Sequence, residues 1–136
     1  VKGLPGPAEA AGGPALSGRD GEAVCKALQK LGHDPALVFF TLTRPQANMA
    51  PEARARRVRL QLEAVDAPLV IALDRPAAED IAEAFSMPQL PSGAEVRACG
   101  RRFVACDGLE SALDDDRAKR AVWRQLSAAV LQPPAF

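Results

Sequence analysis

Apolar residues recur along this chain in two patterns, one helical and one of short unbroken runs. Across residues 19–31, Val24, Leu28 and Leu31 stand four and three apart, Glu22 lies in the first turn and Gly32 follows the last periodic position, which predicts a helix. A second helix is predicted over residues 51–65, with Pro51 in its first turn, Val58, Leu62 and Val65 inward and arginines outward. Asp74 is suited to cap a third over residues 76–85, with Ala78, Ile81, Ala82 and Phe85 on one face. A fourth spans residues 114–131. It opens on Asp114, Asp115 and Asp116, the sign a helix dipole favours there, and Pro133-Pro134 stops it. Between these helices, residues 37–42 and 69–73 are short apolar runs that read as buried strands. Residues 95–106 read as two strands turning at Gly100-Arg101.

Residues 1–18 are rich in Gly and Pro and read as a loop following the end of a strand. The alternation of strands and helices predicts an α/β fold: a three-layer sandwich with a short, mainly parallel four-stranded sheet flanked by helices, forming one domain over residues 1–136. Ligands of such sheets bind at the carboxyl ends of the strands. Those ends here are the loops 5–18 and 44–51, Asp74-Arg75 and the loop 107–113.

Composition narrows the function. Lys plus Arg and Asp plus Glu number 17 each, so the net charge is zero, which argues against a nucleic-acid binder held by bulk charge. No apolar run suits a membrane span, and nothing reads as a signal peptide. Three cysteines without metal-ligand spacing predict reduced thiols, a cytoplasmic setting, and neither cofactor nor metal. Neither a P-loop nor a nucleophile elbow occurs. Arg54, Arg56, Arg57 and Arg59 crowd one helix, as a phosphate-binding stripe or as a solvated face diluted by Glu52 and Glu63. Trp123 lies one position off the Val122–Leu126 stripe, either a flank of the core or an interface anchor. Glu9 reads as a solvated loop acid or as a displaced water-activating carboxylate. Asp107, at a strand end, reads as a catalytic acid or as part of an Asp107-Gly108 turn, and the single histidine, His33, lies in a turn away from the carboxyl ends.

The order of these signals carries a resemblance. Pro5-Gly6, Gly13 and Gly18-Arg19-Asp20-Gly21 before a helix resemble the opening of bacterial uracil-DNA glycosylases of the iron–sulfur type. Arg44-Pro45 with Asn48 and Pro51, the strand Val70-Ile71-Ala72-Leu73, and Lys119-Arg120-Ala121-Val122-Trp123 are similar to later segments of that family. The resemblance implies the family's fold, but the chemistry departs from it. Glycosidic cleavage needs a polar group for the attacking water and a donor for the leaving base. The family's histidine after the last strand corresponds to Gly108, its stacking phenylalanine to Leu16, and its first-loop acid has no counterpart in Gly3-Leu4-Pro5-Gly6. Thr43 stands at one cluster cysteine and the next falls near Arg54, leaving only Cys25, Cys99 and Cys106 where four thiolates are usual.

The chain is also similar in size and element order to the psi accessory subunits of the bacterial DNA polymerase III clamp loader, which look like shortened members of this fold acting as protein connectors. The expectation is a catalytically inactive, glycosylase-like protein-interaction module of bacterial DNA replication or repair, with a protein partner and at most weak DNA binding. The alternatives are a DNA glycosylase acting on uracil or a related base through unrecognised residues, and a non-catalytic nucleic-acid binder using Arg54 to Arg59.

Overall fold

The computed structural model describes residues 1–131, so the expected stop at Pro133-Pro134 lies outside the described residues. The four long helices fall close to their expected positions. After the single turn α1 (Pro7–Ala10), they are α2 (Arg19–Lys30), α3 (Pro51–Val65), α4 (Arg75–Ala84) and, after the turn α5 (Leu109–Ala112), α6 (Asp116–Leu131). Asp74 caps α4 by accepting from the Ala77 amide at 2.9 Å. Asp115 accepts from the amides of Arg117 and Ala118 at the start of α6. Each carboxylate satisfies donors that the first helical turn leaves open.

The sheet corrects the expectation of four mainly parallel strands. It has three strands, β1 (Leu69–Ala72), β2 (Glu95–Ala98) and β3 (Arg101–Ala105), in the order β1-β3-β2. β1 runs parallel to β3 and β2 antiparallel to it, so the sheet is mixed. Residues 37–42 form no strand. Pro35–Leu37 winds into a 3₁₀ turn capped by Asp34, which leaves Leu37 86% and Phe39 43% exposed. What survives of the expected pairing is a single parallel bridge between Lys2 and Leu42, flanked by bonds from the Thr43 amide to Lys2 O and the Arg44 amide to Gly3 O. It extends no further, because the chain turns away at Leu4-Pro5 and proline has no N–H to give a ladder. The hairpin turns one residue earlier than expected, at Cys99-Gly100, with φ of 52° and 72°. Positive φ at both central residues matches the right-handed twist of the flanking strands.

Helices cover both faces. Val70, Ala72, Phe103 and Ala105 alternate toward α3 and α4, where Val58, Ile81 and Phe103 are fully buried. Ile71, Leu73 and Cys106 face the other way, onto Val24 and Leu28 of α2, Leu109 of α5 and Val122 of α6. The period of two along each strand thus feeds two separate apolar layers. The loop before α2 is fixed by a close approach. A Cβ on Gly21 would lie 1.6 Å from the Leu16 carbonyl oxygen, so only glycine fits beneath that left-handed leucine.

Candidate functional site

Beside the isolated bridge to Leu42, the ammonium of Lys2 is buried among carboxylates: Asp20 at 2.6 Å, Glu9 at 3.1 Å and the half-exposed Glu110 at 3.4 Å. Burial works against the charge, but the hydrogen bonds Lys2 donates to Asp20 and Glu9 outweigh it and hold the Lys2 pKa above its ordinary value. For Glu9, burial favours the neutral acid, while backbone amides and Lys2 reverse the balance and bring its pKa below the ordinary one. Glu9 Oε2 accepts from the Gly6 amide and Oε1 from the Leu16 amide. It is neither a solvated loop acid nor a carboxylate free to activate water, because every oxygen is committed. Leu16, at the position of a stacking aromatic, is buried in the core beside Val24 and Leu28.

Beside this cluster, a cleft of about 590 Å³ opens at the carboxyl ends of β1 and β3. Its wall carries Asp74, Glu79, Glu83 and Asp107 against the single cation Arg75. Asp74 is occupied by the amides of Gly3 and Ala77. Asp107 is exposed and held by the Ser92 hydroxyl and the Gln125 amide. Gly108 stands here where the resemblance puts a histidine donor. Cys106 lines the cleft from the core side, and burial pushes its thiol up to about 11, far from a reactive thiolate. Carboxylates outnumber cations four to one along this lining, an unfavourable excess for a phosphate backbone.

The four arginines of α3 do not form a common stripe. Arg54 Nε lies 3.3 Å from the buried carboxylate of Asp80, and its Nη1 donates to Met49 O. Arg57 Nη1 donates to Leu42 O at 2.5 Å. Arg59 donates to Ala84 O, pairs with Glu63 and lies 5.2 Å over the Phe85 ring, so it is tied to the fold rather than simply turned to water. Arg56 and Arg59 are both exposed, and of the four side chains only that of Arg56 makes no hydrogen bond or ion pair among the described residues. Asp80 also accepts from Thr43 Oγ1 at 2.6 Å and from Arg44 Nε at 2.8 Å, and that carboxylate raises the Arg44 pKa. Thr43 and Arg54, which the resemblance aligns with cluster cysteines, therefore meet on one carboxylate. Among the described residues no group of three or more His, Cys, Asp or Glu is arranged to hold a metal ion, and no helix is long and apolar enough to cross a membrane.

Trp123 stands elsewhere, 37% exposed on the wall of a groove of about 620 Å³ between α2 and α6. The groove floor is aliphatic, from Val24, Ala27, Leu73, Leu109, Leu113 and Leu126, and its rim carries Arg19, Lys26, Lys30, Lys119 and Arg120 with one acid, Glu22. Sequence reasoning singled out Trp123 but missed Lys26 and Lys30. The available signal was their spacing of four on the solvent side of a helix whose apolar stripe was already assigned. Asp80 was missed too, though its place beside Ile81 among buried alanines marks a carboxylate that must be paired.

The molecule is thus a small α/β domain with an acidic carboxyl-edge cleft and a basic, apolar-floored groove. No protein-family model matches the chain, and no curated protein matches it significantly.

Proposed function

We propose that this chain is a non-catalytic docking module whose protein partner seats in the α2–α6 groove, within a bacterial DNA replication or repair assembly of the kind the psi-like segments imply. The observation that carries this reading is the groove itself. It combines a half-exposed tryptophan, an aliphatic floor and a charged rim, the composition of an interface centre with its border. The carboxyl edge supports the same choice over glycosylase chemistry. Glu9 is committed to Lys2 and two amides, and the adjoining cleft would repel a DNA strand.

The test uses the intact chain as bait in a bacterial lysate, beside an Ala27→Phe variant whose added ring fills the groove. Replication or repair proteins retained by the first and lost by the second, at equal melting temperature, are the expected result. Equal recovery by both would refute docking at this groove. In parallel, the wild-type chain is incubated with a uracil-containing single strand and abasic sites are cleaved with alkali. Protein-dependent cleavage would give the chain to the glycosylase alternative.

A further inference from the structure

The chain carries 17 cationic and 17 acidic side chains, yet five cations and one carboxylate line the α2–α6 groove. Arg19 is answered by Asp114 at 2.8 Å. Among the described residues, Lys26, Lys30, Lys119 and Arg120 form no ion pair within 4 Å, although the Asp114 pKa is lowered by its hydrogen bond from Arg19 and, to a lesser extent, by Lys119 nearby. Lys26 and Lys30 stand one turn apart on α2, and Lys119 and Arg120 lie one turn before Trp123 on α6. Neighbouring cations raise one another's energy, and the groove keeps apolar surface in water at Trp123, Ala27 and Leu113, above the buried Val24, Leu73, Leu109 and Leu126. An occupant that relieves both must be anionic along its edges and apolar along its centre.

A nucleic-acid strand meets the first demand and fails the second. Its phosphates would be answered by the rim, but the floor offers aliphatic side chains rather than the run of aromatic faces on which bases stack. A peptide helix meets both, because one face can carry leucine-like side chains while carboxylates flank it, and two helix walls present ridges for a third. Resting on the docking reading above, we infer that the partner is an acidic amphipathic segment of another protein, lying between α2 and α6. Its aliphatic side chains sit on the floor and its carboxylates meet Lys26, Lys30, Lys119 and Arg120.

A selection of short random displayed peptides on the intact chain tests this, followed by anisotropy titrations with the enriched peptides. The expected winners carry an acidic surplus and aliphatic residues at helical spacing. Their affinity should fall about tenfold or more in Lys26→Glu/Lys119→Glu, and also in high salt, with the melt unchanged. Groove-directed peptides lost in Ala27→Phe but lacking an acidic surplus, and indifferent to charge reversal, would overturn the inferred chemistry while leaving docking intact. Winners that bind Ala27→Phe as well as wild type would overturn the docking reading too. Groove-dependent binding of an oligothymidylate would give the rim to nucleic acid, and self-association abolished by Ala27→Phe would give the groove to a second copy. Either would overturn the acidic-segment assignment.

Discussion

Glu9→Ala, in the single turn α1, should strongly destabilise the fold although it lies outside the apolar core. The Glu9 side chain is 2% exposed and is held by Lys2 Nζ at 3.1 Å, the Gly6 amide at 2.9 Å and the Leu16 amide at 3.1 Å. Truncation leaves both amides without their acceptor, and each amide stranded in a buried setting costs about 1–3 kcal/mol. Cutting a buried ion pair from one side costs about 3–5 kcal/mol when nothing replaces the lost partner. Lys2 keeps Asp20 at 2.6 Å and Glu110 at 3.4 Å, so the ionic part lies well below that range. The expected loss is about 3–5 kcal/mol, a large share of the roughly 5–15 kcal/mol that holds a domain together. Urea unfolding followed by circular dichroism and tryptophan fluorescence measures it, and Glu9→Gln, which keeps one acceptor, should lose about half as much.

The pH dependence fixes the sign. Glu9 has a folded pKa below its ordinary 4.5, so the unfolded carboxylate takes up its proton first. Its contribution is complete above 4.5 and is lost as the pH falls through the folded value. Wild type should therefore lose stability more steeply than Glu9→Ala on acidification below that point. A variant within about 1 kcal/mol of wild type at neutral pH, or one with the same acid slope, would refute the account of the Lys2 cluster.

Asp80→Ala removes the hydrogen-bond acceptor of Thr43 and Arg44 and the ion-pair partner of Arg54; with the two arginine side chains 21% and 18% exposed, a loss of about 2–4 kcal/mol is expected in urea, nonadditive with Arg44→Ala. Arg56→Glu should change stability by less than about 0.5 kcal/mol, whereas Arg59→Glu, which loses the Ala84 carbonyl, Glu63 and the Phe85 ring, should cost about 1–2 kcal/mol in the same assay. Trp123→Ala, at a side chain 37% exposed, should cost about 1–2 kcal/mol in a thermal melt and abolish partner recovery; a loss as large as that of a fully buried ring would make it core.

The helices were legible because their signals are local. Pro51 fixes the first turn of α3, Val58 and Leu62 fix its buried side, and Asp74 supplies a cap that any fold would use. The run at residues 37–42 shows where locality fails. Apolar, β-rich residues state a preference for burial, but a strand also needs a partner ladder, and the one offered by Lys2 and Gly3 ends at Pro5. Asp34-Pro35 meanwhile favours a capped turn that consumes Leu37. The arginines of α3 fail for a different reason. Helical spacing places their Cα atoms on the outer side, as expected, but a guanidinium reaches several ångströms back. Arg57 and Arg59 return to the carbonyls of Leu42 and Ala84, and Arg54 to Asp80, on partners 15 to 26 positions away in sequence.

That return of the arginines decides where a charged partner can be received. Zero net charge gives no hint of it, because the neutral total is divided among regions that screening keeps apart beyond about 8–10 Å. One share is internal, in the Lys2 cluster and around Asp80, where each cation and carboxylate is already answered. A second share is the acidic cleft at the ends of β1 and β3, which disfavours polyanions where an α/β sheet usually takes its ligand. A third share is the rim of the α2–α6 groove, where Lys26, Lys30, Lys119 and Arg120 form no ion pair and the floor between them is apolar. Bulk charge could not attract a nucleic acid, and the helix richest in arginine has spent three of its four guanidiniums on the fold. The groove with Trp123 on its wall is where a cluster of exposed cations meets a partly exposed aromatic ring, whereas the most exposed apolar side chains, Leu37, Leu131 and Leu60, lie outside its lining.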